Sequence, residues 1–265
     1  MLLKPGLKLI GAKTKIRQRL YDLFPKSYDT YVEPFLGTGG VLIGSKPVMC
    51  EFAYDINPHV INYYKVLQEH PYEFWHRFSH LTQQKVNNKG TFDAYKQGAI
   101  EAECQISRAV CFYLVTKTCM NGIWRLNQKG ECNSSFCGTF QGRGFFTEAW
   151  FNAVVERIKH VIFNVQDFQA TLSLDLPKST FIFVDPPYRA CKTTYNGISF
   201  SDADHTKLRD LLANQTARWM VTINDDEFTR DLYKDFSIYT HEVSYSCSQT
   251  NAGRGAKPEL IIRNY

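Results

Sequence analysis

The 265-residue sequence has no apolar run of eighteen or more residues, so no membrane-spanning helix is expected. Its first stretch, Met1 to Lys13, holds too short an apolar core and too many lysines for a secretory signal. It has no internal repeat and no low-complexity tract. The eight cysteines (Cys50, Cys104, Cys111, Cys119, Cys132, Cys137, Cys191 and Cys247) include no CxxC pair. Cys119, Cys132 and Cys137 lack a fourth ligand at zinc spacing, so no metal is expected. Reduced, buried thiols in a cytosolic protein are the reading. A strong charge of one sign is missing too. The net charge of +5 is mildly basic and only weakly suggests nucleic acid.

What is present is ordinary globular composition, 44% hydrophobic and 22% charged, with length enough for one or two domains. Helical spacing of Ile16, Leu20 and Leu23 predicts a helix over Lys13 to Phe24. Thr30 to Val32 and Val48 to Tyr54 read as strands. Asn57 and Pro58 open a helix that runs through Leu67. From about His70 to Glu148 the character changes. Trp75, Phe78, Leu81, Phe92 and Tyr95 suggest short helices, and Ile106 to Lys117 a stronger one. Asn121 to Gly130 reads as loop or hairpin, prolonged by Gly138, Gln141, Gly142, Arg143 and Gly144. A helix over Thr147 to Lys159 returns the chain. Further strands are expected at Val161 to Val165, before Asp185, and at Trp219 to Ile223. Ser201 to Leu212 reads as a capped helix, and Ile238 to Ser244 pairs with Leu260 to Arg263. The alternation predicts a doubly wound, Rossmann-like α/β sheet carrying a smaller, mostly helical insert. The boundaries are 1–69 and 160–265 for the sheet domain and 70–159 for the insert.

Asp185-Pro186-Pro187-Tyr188 is the most informative stretch. It follows the apolar run Phe181 to Val184, which reads as a buried parallel strand. A carboxylate, a stiff turn and a ring therefore stand at the carboxyl end of a sheet strand, where open α/β sheets bind ligands. Asp185 and a backbone carbonyl suit the two N–H bonds of an exocyclic amine on a flat ring, and Tyr188 suits its face.

Glu33-Pro34-Phe35-Leu36-Gly37-Thr38-Gly39-Gly40 lies between a strand and a helix, where glycines allow close backbone approach to a ligand. Asp55 ends the next strand, placed for ribose hydroxyls. A nicotinamide enzyme is the competing reading. Against it, the third glycine of dinucleotide spacing is missing, and Glu33 would repel a pyrophosphate but attract an ammonium. A cofactor with a ribose and an amino-acid end, S-adenosylmethionine, satisfies both. Glu33 as a simple helix cap remains open.

Taken in order, these residues resemble the alpha-group, Dam-like (D12 class) adenine-N6 DNA methyltransferases along nearly the whole chain. Leu7 to Lys13 matches the family's N-terminal motif, W-x-G-G-K, keeping Gly11 and Lys13, with Leu9 where an aromatic is common. Val32 to Gly39 and Tyr54 to Asn57 are close matches. Asn121 to Asn127 with Lys129-Gly130 resembles the target-recognition hairpin, and the tail Glu259 to Tyr265 also looks familial.

The resemblance implies a site-specific enzyme that moves a methyl group from S-adenosylmethionine to N6 of a flipped-out adenine in double-stranded DNA, at GATC or a variant. Asp185, Pro186 and Tyr188 would hold the target base. Leu9, Lys13, Glu33, Phe35, Gly37, Gly39, Asp55, Asp167, Phe168 and Asp185 would line the cofactor. Lys8, Asn121 and Arg125 would reach DNA, with Arg125 reading a guanine through O6 and N7. Arg125 paired with Glu131 is the structural alternative, and Trp124 reads as core. Cys132 to Phe146 departs from the family's Asn-x-Pro-Phe-Gly sequence, so another recognition site is open. Asp185 rather than Ser, and the insert, favour adenine in DNA over cytosine-N4 or RNA. A catalytically dead binder is a rival of another class. A cytoplasmic, nucleoid-associated protein of bacterial or phage origin is implied.

Overall fold

The structure, a computed structural model, describes residues 2–83, 88–139, 144–174, 176–189, 200–245 and 255–265. Gln141, Gly142, Arg143, Cys191 and Cys247, named above, lie outside the described residues.

Seven strands form one sheet: β1 (Thr30–Glu33), β2 (Cys50–Asp55), β3 (Val161–Val165), β4 (Thr180–Val184), β5 (Arg218–Asn224), β6 (Ser237–Tyr245) and β7 (Gly255–Arg263). Their order is β3-β2-β1-β4-β5-β7-β6. The first five are parallel, and β7 runs antiparallel to both its neighbours. From β1 the chain winds outward through β2 to β3, then returns beside β1 as β4 and winds the other way. The carboxyl ends of β1 and β4 thus meet at a topological switch point, the usual ligand crevice of such sheets. The doubly wound expectation holds, with a terminal antiparallel pair longer than the sequence pattern suggested.

Strand alternation sorts the cores. Phe181, Phe183, Tyr31, Met220 and Ile261 join one apolar cluster; Ile182, Val184, Val32, Val221 and Ile262 join the other, across the sheet. The polar residues Glu33, Thr222 and Glu259 fall in register with the first group, so they share its face at the carboxyl edge.

Helices cover both faces. A 3-10 turn at Lys13–Lys15 precedes α1 (Arg17–Leu23), so the helix expected from Lys13 starts late. The turn is preceded by Ala12 and α1 by Ile16, neither of which offers a side-chain cap. α2 (Gly40–Gly44) follows the glycine turn, and α3 (Pro58–Glu69) opens as predicted, with Asn57 Oδ1 accepting from the His59 amide at 3.0 Å. The insert is built of α4 (Pro71–Gln83), α5 (Lys89–Glu101) and α6 (Gln105–Thr118), followed by α7 (Glu148–Ile158). α4 and α5 are 13 residues each rather than short. α8 (Phe168–Leu172), α9 (Asp202–Ala213) and α10 (Glu227–Leu232) complete the chain. α9 carries a full capping box between Ser201 and Asp204.

Helices α4 to α7 share one core with the sheet side of the chain: Phe74, Phe92, Tyr113 and Phe151 cluster with Tyr63, Tyr64 and Leu42. A buried ion pair ties the layers. Arg157 on α7 grips both oxygens of Glu51 on β2 at 2.7 and 2.8 Å and donates to Leu42 O of α2 at 2.6 Å. Among described cysteines, Cys119 is buried, whereas Cys50 and Cys104 are exposed, which corrects the expectation of uniformly buried thiols.

Candidate active site and nucleic-acid face

The glycine turn closes on itself. Leu36 N donates to Tyr54 O of β2 at 2.8 Å, and Gly39 N to Leu36 O at 2.7 Å. Gly37 and Gly39 have φ of +51° and +65°. A Cβ on Gly37 would meet nothing within 4 Å, leaving a bare backbone facing open space. One on Gly39 would come within 2.8 Å of the Tyr64 hydroxyl, so this position is fixed by packing as well as by conformation.

Asp55 braces the turn from the end of β2. Its Oδ2 accepts from Gly37 N and its Oδ1 from Asn57 N, both at 2.8 Å. Burial nevertheless pushes its carboxyl up to about 6, against the pull of those two amides. Glu33, at the end of β1, is 2% exposed and accepts from the Tyr31 hydroxyl at 2.8 Å. Burial drives its pKa well up; the Tyr31 hydroxyl and the Leu42 amide oppose this, while Asp185 and Asp55 add to it. The Leu42 contact gives the helix-cap reading of Glu33 substance, because Leu42 lies in the first turn of α2.

Asp185 sits just past β4. Its Oδ1 receives Lys13 Nζ at 2.8 Å and Thr222 Oγ1 at 2.8 Å. No described residue bonds its Oδ2, and the side chain is partly exposed. Lys13 also donates to Gly11 O at 3.0 Å and lies 4.7 Å over the Tyr188 ring. The chain after Tyr188 is anchored: Arg189 N donates to Asn224 Oδ1 at 2.9 Å, and its guanidinium grips Asp202 at 2.6 and 2.9 Å. The N-terminal segment that delivers Lys13 is held by Arg17, which donates to Leu2 O at 2.8 Å and to Gly40 O at 3.4 Å. Leu9 is buried in the core beneath it.

On the other side of the edge, Phe35 stacks on Phe168 at 5.4 Å, and Phe200 meets both, at 5.9 and 5.5 Å. Asp167 caps α8 through the Gln169 amide at 2.8 Å. These residues form an apolar, aromatic wall suited to a flat ring.

The segment after α6 packs on the residues before Lys13. Asn121 adopts φ +56° and is exposed. A Cβ on Gly122 would lie 2.8 Å from Lys8 O, so the two backbones touch. Bridges Leu126↔Cys132 and Cys119↔Phe136 make the hairpin. Asn127 ties its turn, donating to Glu131 Oε2 at 2.7 Å and accepting from the Lys129 and Glu131 amides. Glu131 is thereby engaged with Asn127, not with Arg125, whose side chain is exposed and makes no ion pair among the described residues. Trp124 packs edge-on against Phe112 at 4.8 Å and His59 at 5.1 Å, as core. Nearby Lys117 is buried under Lys8, and burial with Lys8's charge lowers its pKa to about 8.

The structure therefore brings Lys13, Glu33, Asp55, Asp185 and Tyr188 to one edge, with Phe35, Asp167 and Phe168 beside them. Lys8, Asn121 and Arg125 gather on the adjoining surface. Sequence reasoning missed Thr222, Phe200 and Glu259. Glu259 alone left a trace, an acid directly before the apolar run Leu260 to Ile262. No described helix is long and apolar enough to cross a membrane. No group of three or more metal-type side chains gathers among the described residues.

Comparison with known proteins agrees along the whole length. Residues 9–247 match the D12 class N6 adenine-specific DNA methyltransferase family. The type II methyltransferase M1.LlaDCHI of Lactococcus lactis subsp. cremoris is 23% identical, covering 99% of this chain and 96% of that protein. The DNA adenine methylase of Vibrio cholerae is 26% identical over 96% and 94%. Methyltransferase M.MjaIII of Methanocaldococcus jannaschii is 27% identical over both full lengths, 100% and 100%. The solved structure of the putative methyltransferase yhhF from Escherichia coli aligns at a TM-score of 0.43 and 11% identity, over 97% of this chain and 88% of that one. The chain belongs to the D12 class of N6 adenine-specific DNA methyltransferases.

Proposed function

We propose that this DNA adenine methyltransferase acts on a base flipped out of a short duplex motif, GATC or a variant of it, with Asp185, Pro186 and Tyr188 holding that base. The observation that carries the reading is the half-engaged Asp185 carboxylate. Lys13 and Thr222 occupy Oδ1, which fixes the plane of the group and leaves Oδ2 to accept from the amine.

S-adenosylmethionine is the methyl donor, and the residues present fit it. Glu33 is a buried acid with no ion pair among the described residues, suited to the methionine ammonium. The bare backbone at Gly37 would admit close approach, with Gly39 shaping the turn, and Asp55 would hold the ribose hydroxyls. Phe35, Asp167 and Phe168 would flank the adenine, while Leu9 and Lys13 would line the approach. The cofactor supplies an activated methyl group on a sulfonium centre.

The protein's part is to shape the nucleophile. The adenine N6 lone pair is delocalised into the ring. Accepting both N–H bonds, at Asp185 Oδ2 and the Pro186 carbonyl, favours a pyramidal nitrogen with a localised pair. Positioning then supplies much of the catalysis. Flipping costs a few kcal/mol, and stacking on Tyr188 returns about 1–3 kcal/mol. Residues 70–159 serve as the target-recognition module, in which exposed Arg125 reads guanine, with Lys8 and Asn121 on the flanking backbone or bases. A cytoplasmic, nucleoid-associated location follows from a DNA substrate.

The test is incubation with tritiated S-adenosylmethionine and unmethylated genomic DNA, followed by single-molecule sequencing. One short motif carrying N6-methyladenine is expected, and Asp185→Ala should bind cofactor yet transfer no methyl. Near-normal turnover by Asp185→Ala would sink the site assignment.

A further inference from the structure

Pro186 and Pro187 carry no N–H, so the turn at residues 185–189 cannot brace itself through either of them. Two side chains of β5 brace it from outside. β4 and β5 run in ladder as far as Val184↔Val221, so the chain leaves the sheet at Asp185, beside Thr222. Thr222 is fully buried, and its hydroxyl donates to Asp185 Oδ1 at 2.8 Å. Two residues on, Asn224 ends β5 and takes the far end of the turn. Its Oδ1 accepts from the Arg189 amide at 2.9 Å. The Asn224 side chain is itself oriented, because its Nδ2 donates to Asp226 Oδ2 at 2.9 Å, while Asp226 Oδ1 caps α10 through the Thr229 amide at 2.8 Å. The Arg189 guanidinium adds ion pairs to Asp202 and Asp226, but all three side chains are partly exposed, and such pairs hold a backbone weakly.

We infer that Thr222 and Asn224 are positioning residues for methyl transfer, a two-point clamp by which β5 fixes the turn at its first side chain and at its last amide. The inference rests on the site reading above and names what sets the geometry of that site. The two acceptors for the amine, Asp185 Oδ2 and the Pro186 carbonyl, lie on the span between the clamped points. Thr222 sets the rotation of the carboxylate, holding Oδ1 toward β5 and leaving Oδ2 for the base. Lys13 bonds the same oxygen and supplies charge, but its flexible stem sets direction less firmly than a hydroxyl on a buried strand. Asn224 sets where the turn ends, and with it the backbone that carries Tyr188. Neither residue touches a reacting atom in this scheme; both act through the turn.

The experiment compares Thr222→Val, Thr222→Ser, Asn224→Ala and the double variant Thr222→Val with Asn224→Ala against the parent and Asp185→Ala. It reads kcat on duplex DNA, cofactor affinity by calorimetry, and melting temperature. Thr222→Val and Asn224→Ala are each expected to lower kcat by about 10- to 100-fold while cofactor affinity stays at the parent's value. Thr222→Ser, which restores the hydroxyl, should recover most of the kcat lost in Thr222→Val. Release at either end frees the same turn, so the double variant should fall little further than the worse single one. Losses that multiply would mark two independent roles and overturn the clamp. So would a Thr222→Ser as slow as Thr222→Val, or losses of kcat that simply track losses of melting temperature and cofactor affinity. If Asp185→Ala itself retains turnover, the site reading falls first and takes this inference with it. If Asp185→Ala is inactive and both single variants turn over at the parent's rate, the inference alone fails.

Discussion

Asp55→Asn separates what the fold wants at the cofactor edge from what the ligand wants. Burial lifts the Asp55 carboxyl from 3.8 to about 6, a net effect that already includes the Gly37 and Asn57 amides. At about 1.4 kcal/mol per unit, the ionised carboxylate costs the ligand-free fold up to about 3 kcal/mol. The folded pKa lies above the unfolded one, so the protonated form is favoured by folding. The penalty is absent below pH 3.8, grows as pH rises from 3.8 to about 6, and is complete above that. Asparagine is neutral throughout, but its Nδ2 cannot accept, so one of the two amides that Asp55 holds loses its acceptor at every pH. Asp55→Asn should therefore carry a pH-independent loss of about 1–3 kcal/mol and gain on the parent by up to about 3 kcal/mol as pH rises from about 4 to about 8, read by urea unfolding of the ligand-free protein. Cofactor affinity should move oppositely, weakening by about 1–3 kcal/mol as a charged acceptor for ribose is lost. Equal destabilisation at both pH values would refute the reasoning, because Asp55 would then be only an anchor for two amides.

Other perturbations test other links. Arg157→Met strands Glu51, which is 5% exposed, without its counter-ion, and should cost about 3–5 kcal/mol in chemical denaturation; a loss under about 1 kcal/mol would show that the pair is not holding α7 to β2. Gly39→Ala forces φ +65° and a 2.8 Å contact with the Tyr64 hydroxyl, so it should lower stability by about 1–2 kcal/mol or more. Gly37→Ala meets no protein atom within 4 Å and should instead lose cofactor affinity beyond its backbone strain. Binding unchanged in Gly37→Ala would place the ligand elsewhere. Arg125→Ala should relax preference by about 1–3 kcal/mol at one base pair, measured by methylation of a randomised duplex library; an unchanged motif would remove Arg125 from base reading.

Local signals were legible in the sequence and distant ones were not. The all-apolar run at β4, the Asn57-Pro58 helix start and the Ser201 cap are each written in a few consecutive residues, and all three stand in the structure. α4 and α5 were expected as short pieces because few of their residues face the core; Phe74, Phe78, Phe92 and Ala99 are the fully buried ones. β7 begins earlier than its apolar stretch, since Lys257 and Pro258 interrupt the pattern while the ladder with β6 continues. α10 escaped notice because it buries little beyond Thr229. In the site, motif residues were identifiable but their partners were not. Thr222 looks like any β-branched strand residue until register sets it beside Asp185. Phe200 precedes a helix cap and gains meaning only from its contact with Phe35 and Phe168.

The acids of this site make physical sense only with their ligands. Burial raises Glu33, Asp55 and Glu259 together, and Asp185 pushes Glu33 and Glu259 further in the same direction. A fold selected for stability alone would not collect four carboxylates on one face of one sheet edge. In the site proposed above, S-adenosylmethionine would bring two positive centres, an ammonium and a sulfonium, to that edge, and the methyl-transfer product would keep only the first. The same negative field that weakens the ligand-free protein would then favour the charged donor over its neutral-sulfur product. Lys13 limits the field at Asp185, where its ammonium bonds Oδ1 at 2.8 Å and takes the place of a stray cation. On this view the instability of the edge and its selectivity for the methyl donor have one electrostatic cause.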